Sequence, residues 1–124
     1  MAGEKILVVD DEKVIHTFMK AVLERAGFSV TAALDAMQGP MVARQVHPDL
    51  VILDISMPGG SGFKVFDHLK KLPTTAATPV LVYSAVAKDE ILKHIPEGAK
   101  VRILTKPASP DELVAAVRQL LGAA

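Results

Sequence analysis

Five side chains could do chemistry together: Asp10, Asp11, Asp54, Ser84 and Lys106. Each stands at the end of a short apolar run. Ile6-Leu7-Val8-Val9 leads into Asp10-Asp11, Leu50-Val51-Ile52-Leu53 into Asp54, Val80-Leu81-Val82-Tyr83 into Ser84, and Val101-Arg102-Ile103-Leu104 comes just before Lys106. Singly, each has an ordinary explanation: an Asp after a strand is commonly the cap or turn residue before a helix, and a lone lysine or serine there is a solvated or turn residue. Their joint placement at four strand ends is what that explanation handles badly. In a parallel sheet, with strands about 4.8 Å apart, those ends share one edge and the five residues converge in the crevice where open α/β sheets bind ligands. Three carboxylates in one crevice repel, and without a counter-charge one is pushed toward protonation. A divalent cation and Lys106 would bring the sum to zero, and an all-oxygen donor set suits magnesium. Such a site matches a phosphoryl group, with a carboxylate as nucleophile and the cations stabilising charge on the phosphoryl oxygens.

The elements that must hold these residues follow from the hydrophobic pattern. The runs Ile6 to Val9, Leu50 to Leu53 and Val80 to Tyr83 do not alternate, as expected of parallel strands covered on both faces. Val30 to Ala33 and Val101 to Leu104 are weaker or interrupted by charge, which suits sheet edges, and Lys100 and Arg102 read as edge protection. Helical stripes are predicted from Val14, Phe18, Ala21 and Val22, from Phe63, Phe66 and Leu69, and from Leu113, Val117, Leu120 and Leu121. Gly27 stops the first helix, Pro40 falls in the first turn of the second, and Ser109-Pro110 reads as an N-cap with Pro at N1. A short, poorly periodic fourth helix is predicted from about Ala87 to His94, before Pro96 and Gly98. Strand and helix alternate throughout, which predicts a doubly wound α/β domain of five parallel strands and five helices. One domain over 1–124 is expected, with its core over about 4–122.

Composition narrows the function classes. Fourteen basic side chains balance fourteen acidic ones, so no net field draws the chain to nucleic acid or to an anionic membrane. Cysteine is absent, which removes disulfides and thiolate metal sites and fits a reducing compartment. No run of about 18 apolar residues occurs, and a cytoplasmic location is expected. Gly59-Gly60-Ser61-Gly62 lacks the spacing of a phosphate-binding loop and reads as a turn, and His16, His47, His68 and His94 have no paired metal-ligand spacing.

Val8-Val9-Asp10-Asp11-Glu12, Asp54-Ile55-Ser56-Met57-Pro58 with Gly62, Ser84-Ala85 and Lys106-Pro107, in that order, resemble the response-regulator receiver family over essentially the whole chain. The resemblance implies a flavodoxin-like strand order 2-1-3-4-5 and Asp54 as phosphoacceptor. It implies magnesium bound directly by Asp11, Asp54 and the Ser56 carbonyl and through water by Asp10, with Ser84, Ala85 and Lys106 around the phosphoryl group and a cis peptide before Pro107. The implied donor is a sensor histidine kinase or a histidine phosphotransfer protein, and the implied output is a changed surface read by a target protein or an effector domain. The sequence departs from the family where an aromatic switch residue commonly stands three positions before the lysine, for Ile103 is there. Tyr83 adjoins Ser84, but successive strand side chains point to opposite faces, so it is a poor replacement.

A second reading is a magnesium-dependent phosphatase or phosphotransferase with an aspartyl nucleophile. That family has another Asp two residues after the nucleophile, where Ser56 stands here, and needs a cap for its substrate. Turnover of a generic phosphomonoester separates the two. A stand-alone receiver and one cut from a longer regulator are equally compatible with the sequence.

Overall fold

The computed structural model describes residues 3–57 and 62–122. Pro58 and the Gly59-Gly60-Ser61 run lie outside the described residues. The element order is β1 (Lys5–Val9), α1 (Lys13–Arg25), β2 (Ser29–Ala33), α2 (Gln38–Val46), β3 (Leu50–Leu53), α3 (Gly62–Lys71), β4 (Val80–Ser84), α4 (Lys88–Leu92), β5 (Val101–Thr105) and α5 (Pro110–Leu120). The strands form one parallel sheet in the order β2-β1-β3-β4-β5.

Alternation along each strand sends side chains to two separate cores. Leu7, Val9, Val51, Leu53, Val80 and Val82 face α2, α3 and α4, where they meet Ala43, Val65, Leu69 and Ile91. Ile6, Val8, Leu50, Ile52, Leu81 and Tyr83 face α1 and α5, where they meet Met19, Leu23, Leu113 and Val117. β1, β3 and β4 are buried on both sides, which is why their sequences are continuously apolar.

The stripe of α1 differs from the one predicted. Val14 is 68 % exposed and Ala21 is exposed, whereas Met19 and Leu23 are buried with Ile15, Phe18 and Val22 packed beside them. The segment Val14 to Leu23 offers two overlapping apolar rows, and the longer side chains took the core. The fourth helix is shorter than its predicted span: Ala87 has no side-chain oxygen to cap it, and beyond Leu92 only the His94 and Ile95 N–H groups, both bonded to the Ile91 carbonyl, prolong the turn before Pro96. At α5, Ser109 and Glu112 form a capping box.

The outer edge of β5 is closed by Glu97. Its carboxylate accepts the Ile103 N–H at 2.9 Å and pairs with Lys88 at 3.2 Å and Arg102 at 3.7 Å, while Gly98 and Val101 exchange backbone bonds. Edge protection therefore rests on an acid that sequence pattern had not marked, with Arg102 as its partner. Lys100 instead reaches the Ala77 carbonyl at 3.3 Å.

Candidate functional site

The sheet ladder continues one residue past its strands and fixes where the chemistry stands. The Asp10 N–H donates to the Ala33 carbonyl at 3.1 Å, the Asp54 N–H to the Val9 carbonyl at 3.0 Å and the Lys106 N–H to the Ser84 carbonyl at 2.9 Å. Residues from β1, β3 and β5 thus meet on one sheet edge. The Lys106–Pro107 peptide is cis. Beneath Lys106, whose Nζ lies 5.6 Å from the ring centre of Tyr83, the Tyr83 hydroxyl accepts the Ala108 N–H at 3.2 Å and ties the turn down.

Asp10 and Asp54 are each 2 % exposed. Lys106 Nζ lies 2.9 Å from Asp10 Oδ2 and 3.4 Å from Asp54 Oδ2, and it also reaches Glu12 Oε1 at 3.4 Å. The other oxygen of each aspartate is held by backbone: Asp10 Oδ1 accepts the Glu12 N–H at 2.9 Å, and Asp54 Oδ1 accepts the Ser56 N–H at 3.0 Å. The Ser56 hydroxyl also reaches the Asp54 carboxylate, at 3.0 Å to Oδ1. Burial pushes the Asp10 carboxyl above its ordinary range, although Lys106 and the Glu12 N–H pull it back. Burial also acts to lower Lys106, but Asp10, Asp54 and Glu12 together hold its ammonium above the usual lysine range.

Ligand oxygens of Asp10, Glu12 and Asp54 all lie within 4.8 Å of one another. In this structure Glu12, and not Asp11, stands with Asp10 and Asp54 in that cluster. The bond from the Glu12 N–H to Asp10 Oδ1 makes a tight turn with Asp11 at its exposed middle, and the longer Glu12 side chain comes back toward Lys106. Glu12 was visible as the third acid after β1, but its reach depends on this turn. Ser84 is buried, and its Oγ accepts the Val86 N–H at 3.3 Å; Ala85 is exposed beside it. Ile103 faces α4 in one core and Tyr83 faces α5 in the other, so the tyrosine ring lies across the sheet from the Ile103 position.

Two supports were not anticipated. His16 Nε2 donates to the Asp10 carbonyl at 2.6 Å, which leaves its buried Nδ1 without a partner among the described residues. Gly62 lies so close to the Ile55 backbone that a Cβ there would overlap it. Ile55 links Asp54 to Ser56, so the absent side chain of Gly62 lets α3 press against the loop that follows β3.

The profile of the response regulator receiver domain matches residues 6–118. The chain belongs to the receiver-domain family. It is 36 % identical over 118 residues to the DNA-binding dual master transcriptional regulator RpaA of Synechocystis, a match spanning 94 % of this chain and 48 % of RpaA. It spans about half the length of that relative. Protein PilH of Pseudomonas aeruginosa is 34 % identical, over 94 % of this chain and 97 % of PilH. Among solved structures, the receiver domain of the P. aeruginosa sensor histidine kinase PA1611, determined with a magnesium ion in its active-site cleft, superposes with a TM-score of 0.84 at 25 % identity, covering 98 % of this chain and 99 % of that one. The five-stranded sheet of this chain, in the order 2-1-3-4-5, is that of the receiver fold.

The residues of this receiver fit a hard divalent cation. The donors are all oxygen, and three clustered carboxylates face one ammonium, leaving two negative charges uncompensated.

Proposed function

We propose that Asp54 accepts a phosphoryl group from a histidine of a sensor kinase or phosphotransfer protein, with magnesium, and that the modified receiver presents a changed surface to a target or effector domain. The observation that carries this reading is Asp54 itself: a buried carboxylate, oriented by the Ser56 N–H and approached by the Lys106 ammonium. Asp11, Asp54 and the Ser56 carbonyl would hold magnesium directly, and Asp10 through water. Bound there, the ion would neutralise charge on the carboxylates and the phosphoryl oxygens. An Asp54 oxygen forms the new bond to phosphorus as the bond to the donor nitrogen breaks, and Lys106 takes up the negative charge of the arriving oxygens. Ser84 then turns its hydroxyl from the Val86 N–H to a phosphoryl oxygen, with the Ala85 N–H beside it, drawing in the loop before α4. The whole chain acts as one receiver unit in the cytoplasm, and the only reaction it promotes is gain and loss of its own phosphoryl group.

Incubation with acetyl phosphate and magnesium should add one phosphoryl mass that is released by base, as an acyl phosphate requires, and Asp54→Asn should abolish it. Modification that persists undiminished in that variant would move the nucleophile elsewhere. Hydrogen exchange with and without beryllium fluoride should change most between Ser84 and Gly98. A maximum in α1 or α2 would refute output through α4.

A further inference from the structure

A groove of about 490 Å³ runs between α2 and α3. Met37 and Met41, one turn apart on α2, are lined up along it with Val65 of α3, and Arg44, Lys64 and His68 complete its walls. Met37 is 82 % exposed and Met41 45 %, although Gly39 and Ala43 of the same helix are buried. Unbranched thioethers held in water on a helix face adapt to irregular apolar partners. The charge of the groove has one sign, for no acidic residue lines it among the described residues. The nearest acid before α2, Asp35, is engaged in accepting the Gln38 N–H at 2.8 Å.

We propose that this groove docks an acidic amphipathic helix of a partner protein, with apolar side chains set against Met37 and Met41 and carboxylates meeting Arg44, Lys64 and His68. Charge complementarity selects this occupant over others. A second copy docking by two-fold symmetry would set the basic wall against itself, which like-charge repulsion opposes. A basic or neutral helix would bury the same methionines but leave Arg44 and Lys64 facing like charge or nothing. The nine residues of α2 are about 14 Å long at 1.5 Å per residue, enough to seat two to three turns of a partner helix anchored at i, i+3, i+4 and i+7. None of the groove residues belongs to the Asp54 site, so docking here does not depend on phosphorylation chemistry.

The methionines themselves report the test. The protein, labelled with carbon-13 at its methionine methyls, is titrated with a synthetic helical peptide of about 15 residues carrying Leu at those four spacings and Glu elsewhere, and separately with its Lys-for-Glu counterpart. The Met37 and Met41 methyl signals should shift saturably with the acidic peptide, at least about tenfold more tightly than with the basic one. Met19 and Met57, both buried, should hold their positions and so certify the fold. The paired variant Met37→Glu, Arg44→Glu should lose the response while keeping the Met19 and Met57 signals. Equal response to the two peptides, no saturable shift, or a full response in that variant would overturn the proposal. So would Met37 and Met41 signals that move with protein concentration alone, since a second copy would then be the occupant.

Discussion

Asp10 carries a charge that its buried environment disfavours. Burial raises its native carboxyl pKa above the unfolded value, so the native state binds that proton more tightly than the unfolded chain does. Its contribution therefore favours folding at low pH and is lost as pH rises from about 3.9, the unfolded value, through the native pKa, leaving a net cost at neutrality. Asp10→Asn keeps an oxygen for the Glu12 N–H and removes the buried charge. With chelator present to exclude divalent ions, the variant should melt a few degrees above the parent at pH 7, and the gap should shrink toward pH 3.5. Thermal unfolding at the two pH values checks this, and a variant that is less stable at pH 7 would contradict it. A charge that weakens the fold and lies beside Asp54 and Lys106 fits the proposed site better than a role in stability.

At the scale of elements, two contacts hold helices and loops to the sheet. Glu97 joins the start of α4, through Lys88, to the edge strand, through Ile103 and Arg102. The Ile103 N–H, Lys88 and Arg102 hold its carboxyl below the usual range, so its stabilisation is present above about 4.3, the unfolded pKa, and is lost as pH falls through the lower native value. Glu97→Ala should cost about 1 kcal/mol at pH 7, with the difference from the parent closing in acid; denaturant melts at pH 7 and pH 3 measure both. The second contact is Gly62 against Ile55. Gly62→Ala should cost about 1 to 3 kcal/mol and slow phosphorylation of Asp54 by displacing Ile55. Gly98→Ala, where a Cβ meets nothing within 4 Å, should stay within about 0.5 kcal/mol of the parent. Urea melts and acetyl phosphate labelling of the two variants compare them directly.

For the molecule as a whole, what was legible in the sequence followed from burial on both faces. β1, β3 and β4 announce themselves as unbroken apolar runs because each side chain has a helix above or below it, and that orders Asp10, Asp54 and Ser84 along one edge, while Lys106 follows the weaker run of β5. The rest depended on distances that periodicity does not carry. Val14 and Met19 are both apolar on paper, and only the docked helix shows that Met19 is the buried one. Glu12 reaches Lys106 because Asp10 folds the chain back, Glu97 meets Ile103 across the end of the sheet, and His16 finds the Asp10 carbonyl once α1 is docked; none of these pairings has a spacing rule. The two cores, one on each side of the sheet, share strand backbones but no side chains. Energetically they should behave as separate accounts of one fold. Ile52→Val on the α1 and α5 side and Ile91→Val on the other should each cost about 0.5 to 1.5 kcal/mol, and the double variant should equal their sum within about 0.5 kcal/mol. Ile91→Val with Ile95→Val, neighbours within one core, should depart from additivity. If so, either layer can be rebuilt without consulting the other, and the strand backbone is the one medium through which an event at Asp54 is felt on both faces.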